Sequence, residues 1–188
     1  MTRIALVRHG RTDWNAERRM QGRTENPLNA EGLSQAAVVA PLLTPVEAQR
    51  VISSPMLRAQ QTADVIAEHL GAPRAAHRES LIERDFGSAE GADIAEAYAA
   101  HPDHDWPGSE PVSAVGERGA AEIRALLDEG VDSIVVAHGT LLRLSLGVLT
   151  GAPFPRFDNA DVVLVRSDEA GEVAVEWLVG PAAEQLTR

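Results

Sequence analysis

Two histidines stand at matching places in the chain. The apolar run Ile4-Ala5-Leu6-Val7 leads directly into Arg8-His9-Gly10, and Ile134-Val135-Val136-Ala137 leads in the same way into His138-Gly139-Thr140. A neutral imidazole is a competent nucleophile near neutral pH. Attack on phosphorus also needs cations to spread the phosphate's charge, and Arg8 adjoins His9. Arg58 falls in the first turn of a predicted helix, where the macrodipole disfavours a base unless it faces a bound anion. The predicted helix after His138 likewise offers free N–H groups to phosphate oxygens. Glu83, within Leu81-Ile82-Glu83-Arg84-Asp85-Phe86-Gly87, is a carboxyl that could protonate the leaving oxygen of a phosphate ester. Each residue has a plainer reading as well: a packed core histidine, a surface arginine, or a surface glutamate paired with Arg84.

These residues must be held by something, and the hydrophobic pattern names the supports. Strand-like runs recur at 3–7, 50–53, 133–137, 162–166 and 173–178. Helical periodicity covers 31–43, 56–70, 113–128 and 140–149, the last apolar almost all round, as for a helix packed against a sheet. Alternating strands and helices predict an α/β fold, a layered domain with a mostly parallel central sheet. In such sheets ligands bind at the carboxyl ends of strands, where both histidines fall. The last two runs, joined through Gly171, read as an edge hairpin. Residues 87–111 carry Pro102, Pro107, Gly108 and Pro111, with helix expected only at 93–100. The segment reads either as a flap over the site or as a surface excursion.

Composition narrows the function classes. A chain of 188 residues suits a single domain spanning 1–188. A net charge of −11 argues against nucleic acid or an acidic membrane surface as partner. All 17 basic residues are arginine, which excludes Schiff-base chemistry and the lysine of a phosphate-binding P-loop. Arginine's planar fork still suits phosphate. The absence of cysteine removes disulfides and thiolate metal sites. The start of the chain has no signal-like pattern and no apolar run reaches spanning length, so a cytoplasmic location is expected. Nothing in the sequence specifies an oligomeric state.

The segment Arg8-His9-Gly10-Arg11-Thr12-Asp13-Trp14-Asn15 resembles the signature of the histidine phosphatase superfamily, the phosphoglycerate-mutase-like proteins. The likeness continues in order through Gln21-Gly22 with Pro27-Leu28, Ser53-Ser54-Pro55 with Arg58 and Gln61-Thr62-Ala63, Glu83 with Phe86-Gly87, and Ala137-His138-Gly139. The resemblance implies a three-layer α/β/α sandwich and catalysis through a phosphohistidine, with no cofactor and no metal. His9 would take the phosphoryl group. Arg8, Arg58 and His138 would line the phosphate pocket, with Asn15, Gln21, Gly22 and Gly139 as further substrate contacts. Glu83 would protonate the leaving group and then activate water. The substrate implied is a small phosphorylated metabolite. Ala89 stands where the family often has an aromatic residue, and Gly108-Ser109-Glu110 where Gly-Glu-Ser is common. Both departures bear on specificity rather than chemistry.

Three rivals are open. A mutase would share the pocket, but family mutases usually carry a longer insertion and a Glu-Arg-His-Tyr-Gly-like run, where this chain has Glu83-Arg84-Asp85-Phe86-Gly87. A shorter, more open pocket admits water and favours a phosphatase. A non-catalytic phospholigand-binding module should have lost His9, Glu83 or an arginine, and none is missing. A metallohydrolase would draw on His101-x-x-His104 with Asp103 and Asp105, a run interrupted by proline. His69 and His77 read as structural.

Overall fold

The computed structural model describes residues 1–168 and 171–180. Its centre is a five-stranded sheet in the order β2-β3-β1-β4-β5, formed by β1 (Thr2–Arg8), β2 (Arg50–Ser53), β3 (Ser133–Ala137), β4 (Val162–Ser167) and β5 (Val173–Val179). β3 pairs in parallel with both β1 and β2, whereas β4 is antiparallel to β1 and to β5. Four strands therefore point one way and β4 alone is reversed. The edge hairpin forms as the sequence predicts, although Glu169 and Ala170 of its turn lie outside the described residues.

Helices cover both faces, because successive side chains of a strand point to opposite sides. Ile4, Leu6, Val135 and Ala137 join Val115, Ile123, Leu126, Leu141, Leu142 and Leu146 of α5 (Val112–Asp128) and α6 (Gly139–Thr150). Ala5, Val7, Ile134 and Val136 instead meet α2 (Ala30–Val39) and α3 (Leu57–Leu70) through Val39, Ala59, Ala63 and Ile66. Strands buried on both faces explain why 4–7 and 134–137 read as unbroken apolar runs. The result is a three-layer α/β/α sandwich.

The sequence reading overextends one helix. The pattern at 31–43 becomes α2 only to Val39, and a 3-10 helix follows over Ala40–Val46. Pro41 has no N–H to continue the α-helical ladder, and Pro45 repeats the interruption. The reading also passes over α1 (Asp13–Ala16), a single turn closed by a capping box between Thr12 and Asn15.

Residues 87–111 hold α4 (Ile94–Ala100), capped by Asp93, and contribute Ala89, Ala97 and Trp106 to a small apolar cluster with Met20 and Phe86. The Arg84 guanidinium lies over the Phe86 and Trp106 rings and donates to the carbonyls of His104 and Glu110, pinning the segment to the stretch that carries Glu83. Among the described residues no helix is long and apolar enough to cross a membrane.

Candidate active site

The parallel register that sets Arg8 opposite Ala137 brings the two strand ends side by side. His9 N–H donates to the Ala137 carbonyl at 3.0 Å, and the His9 and His138 rings lie 5.2 Å apart, edge to face. The backbone turns sharply at Gly10, where any Cβ would meet the Gly32 carbonyl at 2.4 Å. Gly10 N–H is held by Thr62 Oγ1 at 3.0 Å.

His9 has a defined tautomer. Its Nδ1 lies 2.7 Å from the Gly10 carbonyl, which can only accept, so Nδ1 carries the hydrogen. Nε2 then keeps its lone pair, and Arg58 Nε donates to it at 3.3 Å. Burial, reinforced by Arg58 and then Arg8, holds the imidazole well below its ordinary pKa. His138 is depressed for the same leading reason, with Arg58, His9 and Arg8 adding to it. Both rings are therefore neutral in the folded protein at neutral pH.

Arg58 is fully buried, and burial pushes its pKa down to about 10, so it remains a cation. Its two terminal nitrogens donate to the Thr24 and Gly22 carbonyls at 3.1 and 2.7 Å. Glu90 in turn holds that loop by accepting from the N–H groups of Arg23 and Thr24. Gly22, expected as a substrate contact, thus supplies the carbonyl that orients Arg58; a Cβ there would run into Glu90 Oε1 and the Arg84 carbonyl.

A cavity of about 310 Å³ opens in front of this cluster, bordered by Arg8, His9, Asn15, Gln21, Glu83 and Gly139 among others. Arg58 and His138 do not border it directly but pack against His9, Arg58 through Nε on His9 Nε2 and His138 through its ring edge. Arg8 donates through Nη1 to the Phe157 carbonyl at 2.7 Å, while its buried Nε has no partner among the described residues. Gly139 lets Arg8 lie flat, since a Cβ would sit 3.2 Å from that Nε. His138 Nδ1 and Gln21 Nε2 are likewise buried and unpartnered. Ser54 Oγ, 2.7 Å from His138 Nε2, sets that ring; when it donates, Nδ1 becomes a further N–H donor. Arg8 Nε and Gln21 Nε2 at the cavity, with His138 Nδ1 beside His9, are buried polar groups that a bound anion would satisfy.

Glu83 is buried and is neither on the surface nor salt-bridged to Arg84. Its Oε1 accepts from the backbone N–H groups of Arg84 (2.8 Å) and Leu141 (2.9 Å), and Oε2 from that of Thr140 (3.1 Å). The N–H groups of Thr140 and Leu141 at the start of α6 are spent on Glu83 and are not offered to phosphate oxygens. The macrodipole that would bind an external anion fixes an internal carboxyl.

Sequence reasoning missed Asn159, whose Nδ2 donates to the His9 carbonyl (3.0 Å) and to Asn15 Oδ1 (3.1 Å). No local motif marks it; only the 151–161 loop, folding back beside Arg8, places it there. Asp161 closes the same loop by accepting from Asp158 N–H at 2.6 Å. The metal reading has lost its support: His104 stacks on Trp106, and no three His, Asp or Glu side chains gather at metal-binding spacing among the described residues. His69 and His77, read as structural, are exposed on the surface.

Burial raises the Asp161 carboxyl from its ordinary 3.8 to about 6. A carboxyl that titrates higher in the folded chain than in the unfolded one costs stability as pH rises, and the cost is full above about pH 6. Asp161→Asn keeps an oxygen for Asp158 N–H and removes the charge. The variant should gain about 1–3 kcal/mol at pH 8 and nothing at pH 4. Denaturant midpoints at the two pH values test this, and an equal gain at both would refute it.

The histidine phosphatase superfamily (branch 1) model matches residues 4–179. The chain is 35% identical over 155 residues to the uncharacterized phosphatase PhoE of Bacillus subtilis, covering 80% of this chain and 79% of that protein. It is 31% identical to the probable phosphoglycerate mutase GpmB of Serratia proteamaculans, covering 98% and 94%. In fold it is similar to a mycobacterial glucosyl-3-phosphoglycerate phosphatase solved in complex with VO3, with a TM-score of 0.82, 25% identity, and coverage of 96% and 100%. With the match running from the first strand to the last, the chain belongs to the histidine phosphatase superfamily, whose members here are phosphatases and mutases.

Proposed function

We propose that the protein hydrolyses a small phosphomonoester through a phosphohistidine at His9, without a metal. The observation that carries this reading is the tautomer lock. With Nδ1–H bound to the Gly10 carbonyl, His9 directs the Nε2 lone pair toward the Nε–H of the buried Arg58. An incoming phosphate takes over the Arg58 Nε–H and the unpartnered Arg8 Nε, with Gln21 Nε2 and His138 Nδ1 as neutral donors. Nε2 attacks phosphorus, the P–O bond to the leaving group breaks, and Glu83 delivers its proton to that oxygen. Water then attacks the phosphohistidine while Glu83 takes its proton back, and inorganic phosphate leaves. Arg8 and Arg58 supply the charge stabilisation throughout. Ile94, Tyr98 and His104, within residues 87–111, also border the cavity.

The supporting relatives include one named as a phosphatase and a solved phosphatase in complex with VO3, a phosphate-like oxyanion. The test is release of inorganic phosphate from p-nitrophenyl phosphate in the presence of chelator, with an alkaline quench to trap label on the protein. Acid-labile, alkali-stable phosphate on His9 is expected. Turnover that requires an added divalent metal, or no turnover at all, would overturn the reading. The match to GpmB favours a second reading, transfer back to phosphoglycerate. Isomerisation of phosphoglycerate with a bisphosphoglycerate primer and without net phosphate release would establish it.

A further inference from the structure

Resting on the phosphatase reading, we infer that the cavity carries a second anion subsite, formed by Arg143 and Arg156, and that the natural substrate is a phosphomonoester bearing another anionic group. The chain has a net charge of −11, yet four arginines (Arg8, Arg19, Arg143, Arg156) and one carboxylate, Glu83, border the cavity. Two of the four are committed. Arg8 forms the floor against His9, and Arg19 pairs with Glu17 at 2.7 Å and donates to the Gly91 carbonyl. Arg143 and Arg156 make no hydrogen bond or ion pair among the described residues. Elsewhere this chain pairs its cations closely, as Arg3 does with Asp132, Arg118 with Glu110 and Arg74 with Asp64. Arg18 and Arg124 are likewise without a partner among the described residues, but both are exposed and neither borders the cavity.

Their placement sets the distance. Gly139, against which Arg8 lies, and Arg143 are four residues apart on α6 and face the same cavity. Their backbones are therefore separated by one helical turn, about 5–6 Å. Arg156 approaches from the other side, on the loop whose next carbonyl, Phe157, holds Arg8, and it is near enough to lower the Arg8 pKa. A phosphate seated at His9 thus leaves both guanidiniums facing a group a few bonds away from phosphorus. Guanidinium binds carboxylate and phosphate oxygens in pairs, so either anion fits.

The test compares substrates that differ only at that group: 3-phosphoglycerate with glycerol 3-phosphate, and 1,3-propanediol bisphosphate with propanediol monophosphate. The wild-type protein should favour the doubly anionic member of at least one pair by about tenfold or more in kcat/KM. The preferred pair identifies carboxylate or phosphate as the second group. Arg143→Gln and Arg156→Gln should each cut that preference by about fivefold or more, chiefly through KM, while Arg124→Gln, removing a charge from the exposed side of α5, leaves it unchanged. Simple electrostatic steering would weaken the preference in Arg124→Gln as well and would fade with added salt, whereas a built subsite responds to Arg143 and Arg156 alone. Hydrolysis of all four compounds without preference, or a preference that survives both variants, overturns the subsite and leaves the phosphatase reading standing. Hydrolysis of none overturns the phosphatase reading itself.

Discussion

His9→Ala should lower kcat for p-nitrophenyl phosphate by about four orders of magnitude and abolish label trapped on the protein. The size follows from what is removed. Without the imidazole, phosphoryl transfer must use direct attack by water, for which no base is positioned on that side of phosphorus. The anion site itself survives, because Arg8 is held by the Phe157 carbonyl and Arg58 by the Gly22 and Thr24 carbonyls, none of which depends on His9. Binding of inorganic phosphate should therefore be retained within about tenfold, which separates loss of the nucleophile from loss of the pocket. A variant that turns over at a tenth of the wild-type rate would remove His9 from the reaction.

Glu83→Gln should cost about 10²–10⁴ in kcat/KM on an alkyl phosphate and much less on p-nitrophenyl phosphate. An alkoxide cannot leave without a proton, whereas p-nitrophenolate can. The comparison is made in kcat/KM because that ratio reports the step in which the leaving group departs; release of phosphate from the histidine is common to both substrates. Glutamine can keep Oε1 on the N–H groups of Arg84 and Leu141, but its amide nitrogen then confronts Thr140 N–H. A stability loss of about 1–2 kcal/mol is expected from that unsatisfied donor. Equal loss on the two substrates would argue that Glu83 only shapes α6 and donates no proton.

The residues most legible in the sequence are those whose role depends on strand position. The runs 4–7 and 134–137 are buried on both faces of the sheet, so they appear as unbroken apolar segments, and a histidine following each must emerge at the same sheet edge once the strands pair in parallel. Arg58 was legible for a similar reason, as a base where a helix start should repel one. Pro41 ends α2 earlier than the periodicity alone suggests. The 3-10 turns and α1 are too short to leave a periodic signal.

Residue types and their order thus determined the layered fold, the pairing of two imidazoles with two guanidiniums, and the family. Only the tertiary structure decided what each group touches. It set Arg58 and His138 against the His9 ring, turned the start of α6 onto Glu83, and made Gly22 a support for Arg58. It also brought Asn159 to the His9 carbonyl and left Arg143 and Arg156 facing the cavity unpaired. The physical reason is that these roles rest on backbone carbonyls and N–H groups, which every residue carries alike. No sequence pattern says which of them will be near, and only long-range packing assigns their partners.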